Sequence, residues 1–381
     1  MILEQMYWTS SKGWVMEKKC TNPDFAPQLV LIFGSRILLT DENHIQEIKS
    51  KYPTAKLIGC STSGEILDVS VRDESIAVTA VFFEKTELKF SFLEVEAATD
   101  SFQSAQQLAS SLPLEGLRHV FVLSDGLNVN GSELVRGFRS ALPNTVSITG
   151  GLAGDGADFI ETGVFDSDGL VRSHRISAIG FYGDSLQVGY GSFGGWDSFG
   201  IDRLITKSKN NVLYEIDGSP ALELYKSFLG EKASELPGSG LLFPLSLRTE
   251  SDQMPVVRTI LSVNEEDQSI TFAGDLPEGA FVKFMKANID RLINGAIKAA
   301  EESNSNNDNH VPDLAILISC VGRKLVLKQL VEEEVEAAKD VLGKNTCVTG
   351  FYSYGEISPF SLGAQCELHN QTMTITTLSE I

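Results

Sequence analysis

Two short stretches far apart in the chain repeat one arrangement of glycine, hydroxyl and acidic residues. Leu57–Ile66 reads LIGCSTSGEI, and Val348–Ile357 reads VTGFYSYGEI. In both, two glycines five residues apart allow a sharp turn and a close backbone approach to another group. The carboxylates that follow, Glu65 and Glu356, could hold an amine or a cation if the two turns faced each other. Each could equally cap backbone N–H groups of its own turn.

Other glycine-rich strand ends add candidate binding residues. Trp196 lies in GSFGGWDSFG, a predicted loop over residues 191–200, and aromatic residues on such loops can either wall a ligand pocket or cover a core. Asp125 follows an apolar strand in the sequence Ser-Asp-Gly. The predicted ligand-binding set comprises Gly59, Cys60, Gly64, Glu65, Asp125, Trp196, Tyr352, Gly355 and Glu356.

Cys60 lies where a strand-end nucleophile would be expected. A reactive thiol needs a basic or helix N-terminal neighbour to lower its pKa, and no neighbour in sequence supplies one. The matching residue of the second turn is Phe351, and the G-x-S-x-G, P-loop, C-x-x-C and H-E-x-x-H motifs are all absent from the sequence. We therefore expect no catalysis. A thiol- or carboxylate-dependent hydrolase using Cys60 or the acidic pair is the alternative.

Composition limits the classes of partner. The chain has 381 residues, a net charge of −20 and a pI near 4.7. Such a charge repels phosphate backbones and anionic lipid, which argues against nucleic acid and membrane as partners. No apolar run reaches the roughly 18 residues of a membrane span, and no signal-peptide pattern is visible. Five widely spaced cysteines favour reduced thiols and hence a cytoplasmic location.

Three segments share the order strand, turn, helix, strand and glycine-rich turn, at roughly 29–66, 120–155 and 314–357. Strands joined through a helix are usually parallel, so their carboxyl ends meet at one edge of a sheet. This brings Gly34–Arg36 near Gly59–Glu65. The pattern fits an internal duplication, and it also fits any protein built from strand–helix–strand units.

Antiparallel strands are predicted between these segments. Ser75–Phe83 with Leu88–Val95, and Ile176–Tyr182 with Leu186–Tyr190, read as hairpins, whereas residues 1–28 read as irregular. The predicted fold class is α/β, with mixed parallel and antiparallel sheets in two domains. The domains are residues 1–217, with a core from about 26, and residues 218–381.

Seven motifs, taken in order, resemble the FIST family, an intracellular signal-transduction domain with N-terminal and C-terminal parts. They are GCSTSGEI at 59–66, SDG at 124–126 with TGGLAGD at 149–155, GGWDSFG at 194–200, LYEIDGSPAL at 213–222, SCVGRK at 319–324, GFYSYGEISPF at 350–360 and LHNQT at 368–372. The resemblance covers about residues 26–378 and assigns the two predicted domains to the FIST N and FIST C parts.

The resemblance implies a sensory module that binds a small ligand, with amino acids among the candidates. Some stand-alone members resemble haem-containing nitric oxide sensors that regulate a histidine kinase, so haem b is an alternative ligand. His369 and His174, each beside a predicted strand, are then the candidate iron ligands, although a structural role fits either histidine. The sequence contains no recognisable kinase, cyclase or receiver segment, so we expect a signal in trans to a histidine kinase or another output protein of a two-component system.

Overall fold

The computed structural model describes residues 1–22, 25–249, 255–305, 311–361 and 363–381. These residues form four β-sheets with helices packed against them. Three of the sheets belong to three similar units that follow one another along the chain, and the fourth is inserted within the third unit.

The first unit begins with strands in a region predicted to be irregular. Its elements are β1 (Ile2–Thr9), β2 (Gly13–Lys18), β3 (Leu29–Gly34), α1 (Arg36–Leu39), α2 (Glu42–Lys51), β4 (Lys56–Ser61), β5 (Glu65–Leu67), β6 (Ser70–Arg72) and β7 (Ser75–Phe82). The prediction for residues 1–28 is wrong because β1 buries a charged residue. Glu4 accepts a hydrogen bond from the Tyr52 hydroxyl at 2.7 Å and pairs with Lys51 at 2.8 Å, which hides the apolar pattern of the strand.

The second unit repeats this order, with a helix between its first two strands in the place of β2. Its elements are β8 (Glu87–Glu94), α3 (Ser101–Ser110), β9 (Leu117–Ser124), α4 (Gly131–Ala141), β10 (Ser147–Leu152), β11 (Val164–Phe165), β12 (Val171–Arg172) and β13 (Arg175–Tyr182). Helix α4 begins where expected because the Asn130 side chain caps it, accepting from the backbone N–H groups of Ser132 and Glu133.

The third unit is interrupted after its first strand, β14 (Leu186–Phe193). The inserted sheet contains β15 (Trp196–Lys209), β16 (Val212–Ile216), β17 (Ser219–Pro220), α5 (Ala221–Leu229), β18 (Leu245–Arg248), β19 (Val256–Arg258), β20 (Ile260–Asn264), β21 (Ser269–Phe272) and β22 (Phe281–Ala287). The unit then continues with α6 (Ile289–Asn304), β23 (Leu314–Cys320), α7 (Val321–Leu327), α8 (Val331–Leu342), β24 (Cys347–Ser353), β25 (Gly355–Pro359), β26 (Cys366–His369) and β27 (Met373–Glu380). The predicted loop at 191–200 is therefore mostly strand.

The three core sheets have one strand order and exchange hairpins. The orders are β12-β11-β4-β3-β7-β1-β2, β26-β25-β10-β9-β13-β8 and β6-β5-β24-β23-β27-β14. Each sheet contains a parallel pair from its own unit and, beside it, a hairpin from another unit. The predicted α/β class and the repeated strand–helix–strand units are confirmed, and the units are cyclically interlocked.

The predicted antiparallel hairpins are wrong as pairings, although their strands exist. Strand β7 lies between β1 and β3, β13 lies between β8 and β9, and β14 pairs with β27. The connections between consecutive strands here are the points at which the chain passes from one unit to the next.

One glycine has the same position in each parallel pair. A Cβ atom at Gly59, Gly150 or Gly350 would lie 1.7–1.8 Å from the carbonyl oxygen of the neighbouring parallel strand. The carbonyls belong to Ile32, Val122 and Leu317. The close approach expected from the first glycine of each motif is thus an approach to the adjacent strand.

The turns after β4, β10 and β24 meet one another through the backbone. Three hydrogen bonds form a ring: the N–H of Ser63 donates to the carbonyl of Tyr352 at 2.8 Å, that of Tyr354 to Leu152 at 3.2 Å, and that of Gly154 to Ser61 at 2.9 Å. The two glutamate motifs and the second unit's glycine-rich turn are therefore in direct contact.

Candidate ligand-binding site

A cleft of about 470 Å³ opens beside the turn of the first motif. Parallel pairing of β3 and β4 places the residues after both strands at one edge, as predicted, and the second unit closes the far side. The lining residues are Trp8, Ser10, Ser35, Arg36, Ile37, Leu38, Thr62, Ser63, Gly64, Glu65, Asp73, Glu74, Asp155, Gly156 and Asp158.

The cleft wall combines one guanidinium group with several carboxylates. Arg36 is partly exposed and pairs with Glu161 at 3.2 Å. Asp73, Glu74 and Asp158 contribute carboxylates to the lining. Trp8 supplies an aromatic surface, and its ring packs against that of His44 at a tilt of 46°, with centroids 4.3 Å apart. The cleft can therefore offer a cation, anions and apolar area to one small molecule.

Gly64 allows a lysine from the third unit to approach the cleft wall. The Lys324 ammonium group donates to the Ser63 carbonyl at 2.7 Å and pairs with the Asp73 carboxylate. A Cβ atom at Gly64, where φ is 137°, would lie 2.6 Å from that ammonium nitrogen. Any side chain at this position would displace the lysine.

Glu65 is buried at the base of the cleft and is fully hydrogen-bonded. Its carboxylate accepts from the Thr62 hydroxyl and from the backbone N–H and hydroxyl of Ser75. Burial raises the pKa of Glu65 to about 7, although these hydrogen bonds act in the opposite direction.

Glu356 makes the corresponding contacts in its own turn. Its carboxylate accepts from the Ser353 hydroxyl and from the backbone N–H and hydroxyl of Thr372, and burial raises its pKa to about 8. Glu356 is completely buried and is not among the cleft-lining residues, so the cleft holds one carboxylate of the predicted pair.

In the second unit the buried carboxylate with the corresponding role is that of Asp125. Val164 has the register position that Glu65 and Glu356 have in the other units. The Asp125 carboxylate accepts instead from the Thr162 hydroxyl at 2.7 Å and from the backbone N–H of His174 at 2.6 Å. All three buried carboxylates thus join a strand-end turn to the beginning of another strand.

The remaining predicted residues lie away from the cleft lining. Cys60 is fully buried, and burial raises the pKa of its thiol. The Tyr352 hydroxyl donates to Glu334 at 2.6 Å. Trp196 lines a second cleft, of about 560 Å³, and its Nε1–H donates to the carbonyl of Gln371 at 3.1 Å. At Gly355, a Cβ atom would meet the Leu152 side chain at 2.8 Å.

Sequence reasoning missed the ion pair between Arg323 and Glu334. Both side chains are completely buried, and the Arg323 Nη2 lies 2.7 Å from Glu334 Oε2. Arg323 also donates to the carbonyls of Leu292 and Gly194, at 2.7 and 3.1 Å. The only signal in the sequence was the adjacent basic pair in SCVGRK. Such a pair is as typical of a solvated helix end as of a buried ion pair.

Two family models match successive parts of the chain. The FIST N domain model matches residues 28–219, and the FIST C domain model matches residues 221–359. The chain belongs to the FIST family. FIST domains are ligand-binding sensory domains of signal transduction.

Two further similarities are more distant. This FIST chain is 22% identical over 364 residues to an uncharacterized protein of Methanocaldococcus jannaschii, covering 86% of this chain and 69% of that protein. Its structure is similar to that of cyanuric acid hydrolase from A. caulinodans with a TM-score of 0.36 and 7% identity, over 93% of this chain and 90% of the other. A structural similarity at this level supports no conclusion about activity.

One of the two candidate iron ligands of the haem alternative, His369, already has a hydrogen-bond partner. The Nε2 of His369 lies 2.8 Å from the carbonyl oxygen of Ser358, and burial lowers the pKa of His369 to about 4. The neutral ring therefore donates from the nitrogen that would bind iron, and Phe360 packs on it with centroids 4.3 Å apart. The other candidate, His174, immediately precedes β13. Neither histidine lines the 470 Å³ cleft.

The described residues lack two further features. No group of three or more His, Cys, Asp and Glu side chains in these residues is arranged to hold a metal ion. None of the helices in the described part of this FIST protein is both long and apolar enough to cross a membrane.

Proposed function

We propose that this FIST protein is a sensor that binds a small zwitterion, such as an amino acid, in the cleft beside Gly64. The observation that carries the proposal is the presence of Arg36 and several carboxylates around one cleft of about 470 Å³. The ligand carboxylate would pair with Arg36, and its ammonium group with the acidic wall that includes Asp73. Its apolar part would contact Trp8 and Ile37.

We further propose that the protein signals in trans from the cytoplasm to a separate output protein, such as a histidine kinase. Membership of a sensory family supports the signalling role. The five cysteines are free, which is typical of a reducing compartment. No catalytic step is part of the proposal, because the one thiol in the motif is buried with a raised pKa. The autophosphorylation rate of the partner kinase should change when the occupying ligand is added to the purified pair.

The ligand site is tested by calorimetric titration of the purified protein with amino acids and simple amines. Arg36→Gln should weaken binding of an amino acid by about tenfold or more, because a charge-assisted hydrogen bond contributes about 1.5–3 kcal/mol. Arg36→Gln should leave binding of the matching amine, which lacks the carboxylate, unchanged.

Arg139→Gln is the matched control. Arg139 pairs with Glu367 at 2.9 Å, and the exposed fractions of the two side chains, 28% and 43%, are close to the 26% and 53% of Arg36 and Glu161. It lies outside the cleft lining. Equal weakening by both substitutions, or failure of every amino acid and amine to bind, would contradict the proposed site.

A further inference from the structure

Two adjacent residues of helix α7 connect the cleft with the protein interior. Lys324 holds the Ser63 carbonyl and the Asp73 carboxylate, both of which belong to groups that line the cleft. Arg323 is completely buried and contacts Glu334, Leu292 and Gly194. A change at the Lys324 ammonium group therefore acts on the helix that positions the Arg323 network.

The surroundings of the Lys324 ammonium group are those of a site for a primary amine. The group has a carbonyl acceptor at 2.7 Å, a carboxylate partner, and the ring of Tyr352 with its centroid 5.8 Å away. The Lys324 side chain is 17% exposed, so the contact can be reached from solvent. Gly64 leaves open the space that the ammonium group occupies.

We propose that Lys324 is an internal competitor that determines which ligands the cleft accepts. This inference rests on the proposed function, because it names the position that the ligand's ammonium group takes. A ligand with a primary ammonium group can replace Lys324 at Asp73 and Ser63, since it offers the same charge and donors. A neutral or anionic molecule leaves these acceptors without a cation and does not displace the lysine.

Displacement of Lys324 reaches the inserted sheet through Arg323. The Arg323 guanidinium donates to the carbonyl of Gly194, which precedes β15, and to the carbonyl of Leu292 in α6, which follows β22. These two carbonyls flank the two chain connections of the inserted sheet. A shift at the start of α7 therefore changes the support of both connections.

The test compares Lys324→Met with a closely matched lysine substitution, Lys339→Met. Lys339 on the next helix also holds a carboxylate, that of Asp68, and a backbone carbonyl, that of Thr346 at 3.0 Å, with 12% exposure. Neither of these partners lines the cleft, whereas both Ser63 and Asp73 do. With n-butylammonium chloride as the probe, Lys324→Met should lower the dissociation constant by about tenfold, and Lys339→Met should change it by less than about twofold.

A second variant and a second readout complete the test. Asp73 is 69% exposed, so Asp73→Asn should leave the fold intact. In the Lys324→Met background it should weaken n-butylammonium binding by about tenfold, whereas with Lys324 present the effect should be about twofold, because the substitution weakens the competing lysine as well as the probe. Saturation of the wild-type protein should also speed hydrogen exchange of the amides in Val321–Leu327, as Lys324 leaves its partners.

The outcomes separate the inference from the proposed function. If Lys324→Met binds n-butylammonium no more tightly than the wild-type protein does, the competitor role is overturned, while the cleft remains the ligand site. Binding of n-butanol as tight as that of n-butylammonium would also overturn it. Absence of n-butylammonium binding in every variant would overturn both the inference and the amine-binding part of the proposed function.

Discussion

Glu65 and Glu356 each place a carboxyl group beside hydroxyl and backbone donors in an interior without solvent. The donors favour the ionised form, but desolvation is the larger effect and raises the pKa values to about 7 and about 8. Both folded-state values lie above the ordinary value of 4.5. Such groups stabilise the fold below the unfolded-state pKa, and this stabilisation is lost as the pH rises through the folded-state pKa.

We predict that the free energy of unfolding falls between about pH 5 and pH 8, and that Glu65→Gln removes part of this fall. A neutral amide cannot ionise, so the variant should lose on the order of 2 kcal/mol less than the wild-type protein over this range. Urea unfolding at several pH values measures the difference.

Glu4→Gln provides a control of the opposite sign. Hydrogen bonds from Lys51 and Tyr52 outweigh burial and lower the pKa of Glu4. Glu4 is therefore ionised over the whole range in both states, and its substitution should cost the same at pH 5 and pH 8. A Glu65→Gln variant with an undiminished pH dependence would contradict the assignment of the raised pKa.

The sequence could identify these glutamates but could not assign their contacts. The repeated Gly-Glu-Ile made Glu65 and Glu356 prominent, and the local cap was one of the two readings. The decisive donors, Ser75 and Thr372, lie 10 and 16 residues further along the chain, at the start of other strands. Their positions follow from the hairpin exchange between units, which no local pattern encodes.

Helices α7 and α8 are joined through the buried pair of Arg323 and Glu334. We predict that Arg323→Met destabilises the protein by about 3–5 kcal/mol, because it leaves the Glu334 carboxylate buried without a cation. The double variant Arg323→Met with Glu334→Leu should recover much of that loss, since it removes both charges.

Chemical denaturation of the wild-type protein, the two single variants and the double variant measures the coupling energy. The Ser319 and Tyr352 hydroxyls, which donate to Glu334, lose their acceptor in the double variant, so recovery should be incomplete. If Arg323→Met is less stable than the wild-type protein by under about 1 kcal/mol, solvent reaches the pair.

Most helices and strands and the parallel strand pairs could be predicted, whereas the antiparallel pairings could not. Apolar runs such as Leu29–Phe33 and the Asn130 cap of α4 carry local signals. The predicted hairpin of β7 and β8 failed because adjacency in sequence is only a preference, and both edges of β7 are occupied by β1 and β3. The strand β1 was missed because its polar residues are buried with partners from distant elements.

Exchanged hairpins between the three units hold the whole molecule together. Strands β25 and β26 complete the sheet of the second unit, while β5 and β6 join the sheet of the third. A division after residue 217 therefore separates paired strands in two core sheets, and in the inserted sheet it also separates β16 from β17. The open cleft depends on the same interlocking, because Lys324 reaches it from the third unit.

We expect that the inserted sheet can be deleted without unfolding the rest of the protein, whereas the interlocked units cannot be separated from one another. Gly195 and Arg291 lie at the two ends of the insertion, and a Cβ atom at Gly195 would be 2.5 Å from the carbonyl oxygen of Arg291. A short glycine linker can therefore replace residues 197–287, and we expect this variant to unfold in one cooperative transition at a lower temperature.

Fragments 1–217 and 218–381 should each lack a cooperative transition when produced alone, because each leaves sheet edges unpaired. Calorimetry of the linker variant, of each fragment and of the co-expressed fragments distinguishes these cases. A cooperative transition in fragment 1–217 alone would contradict the requirement for the exchanged hairpins.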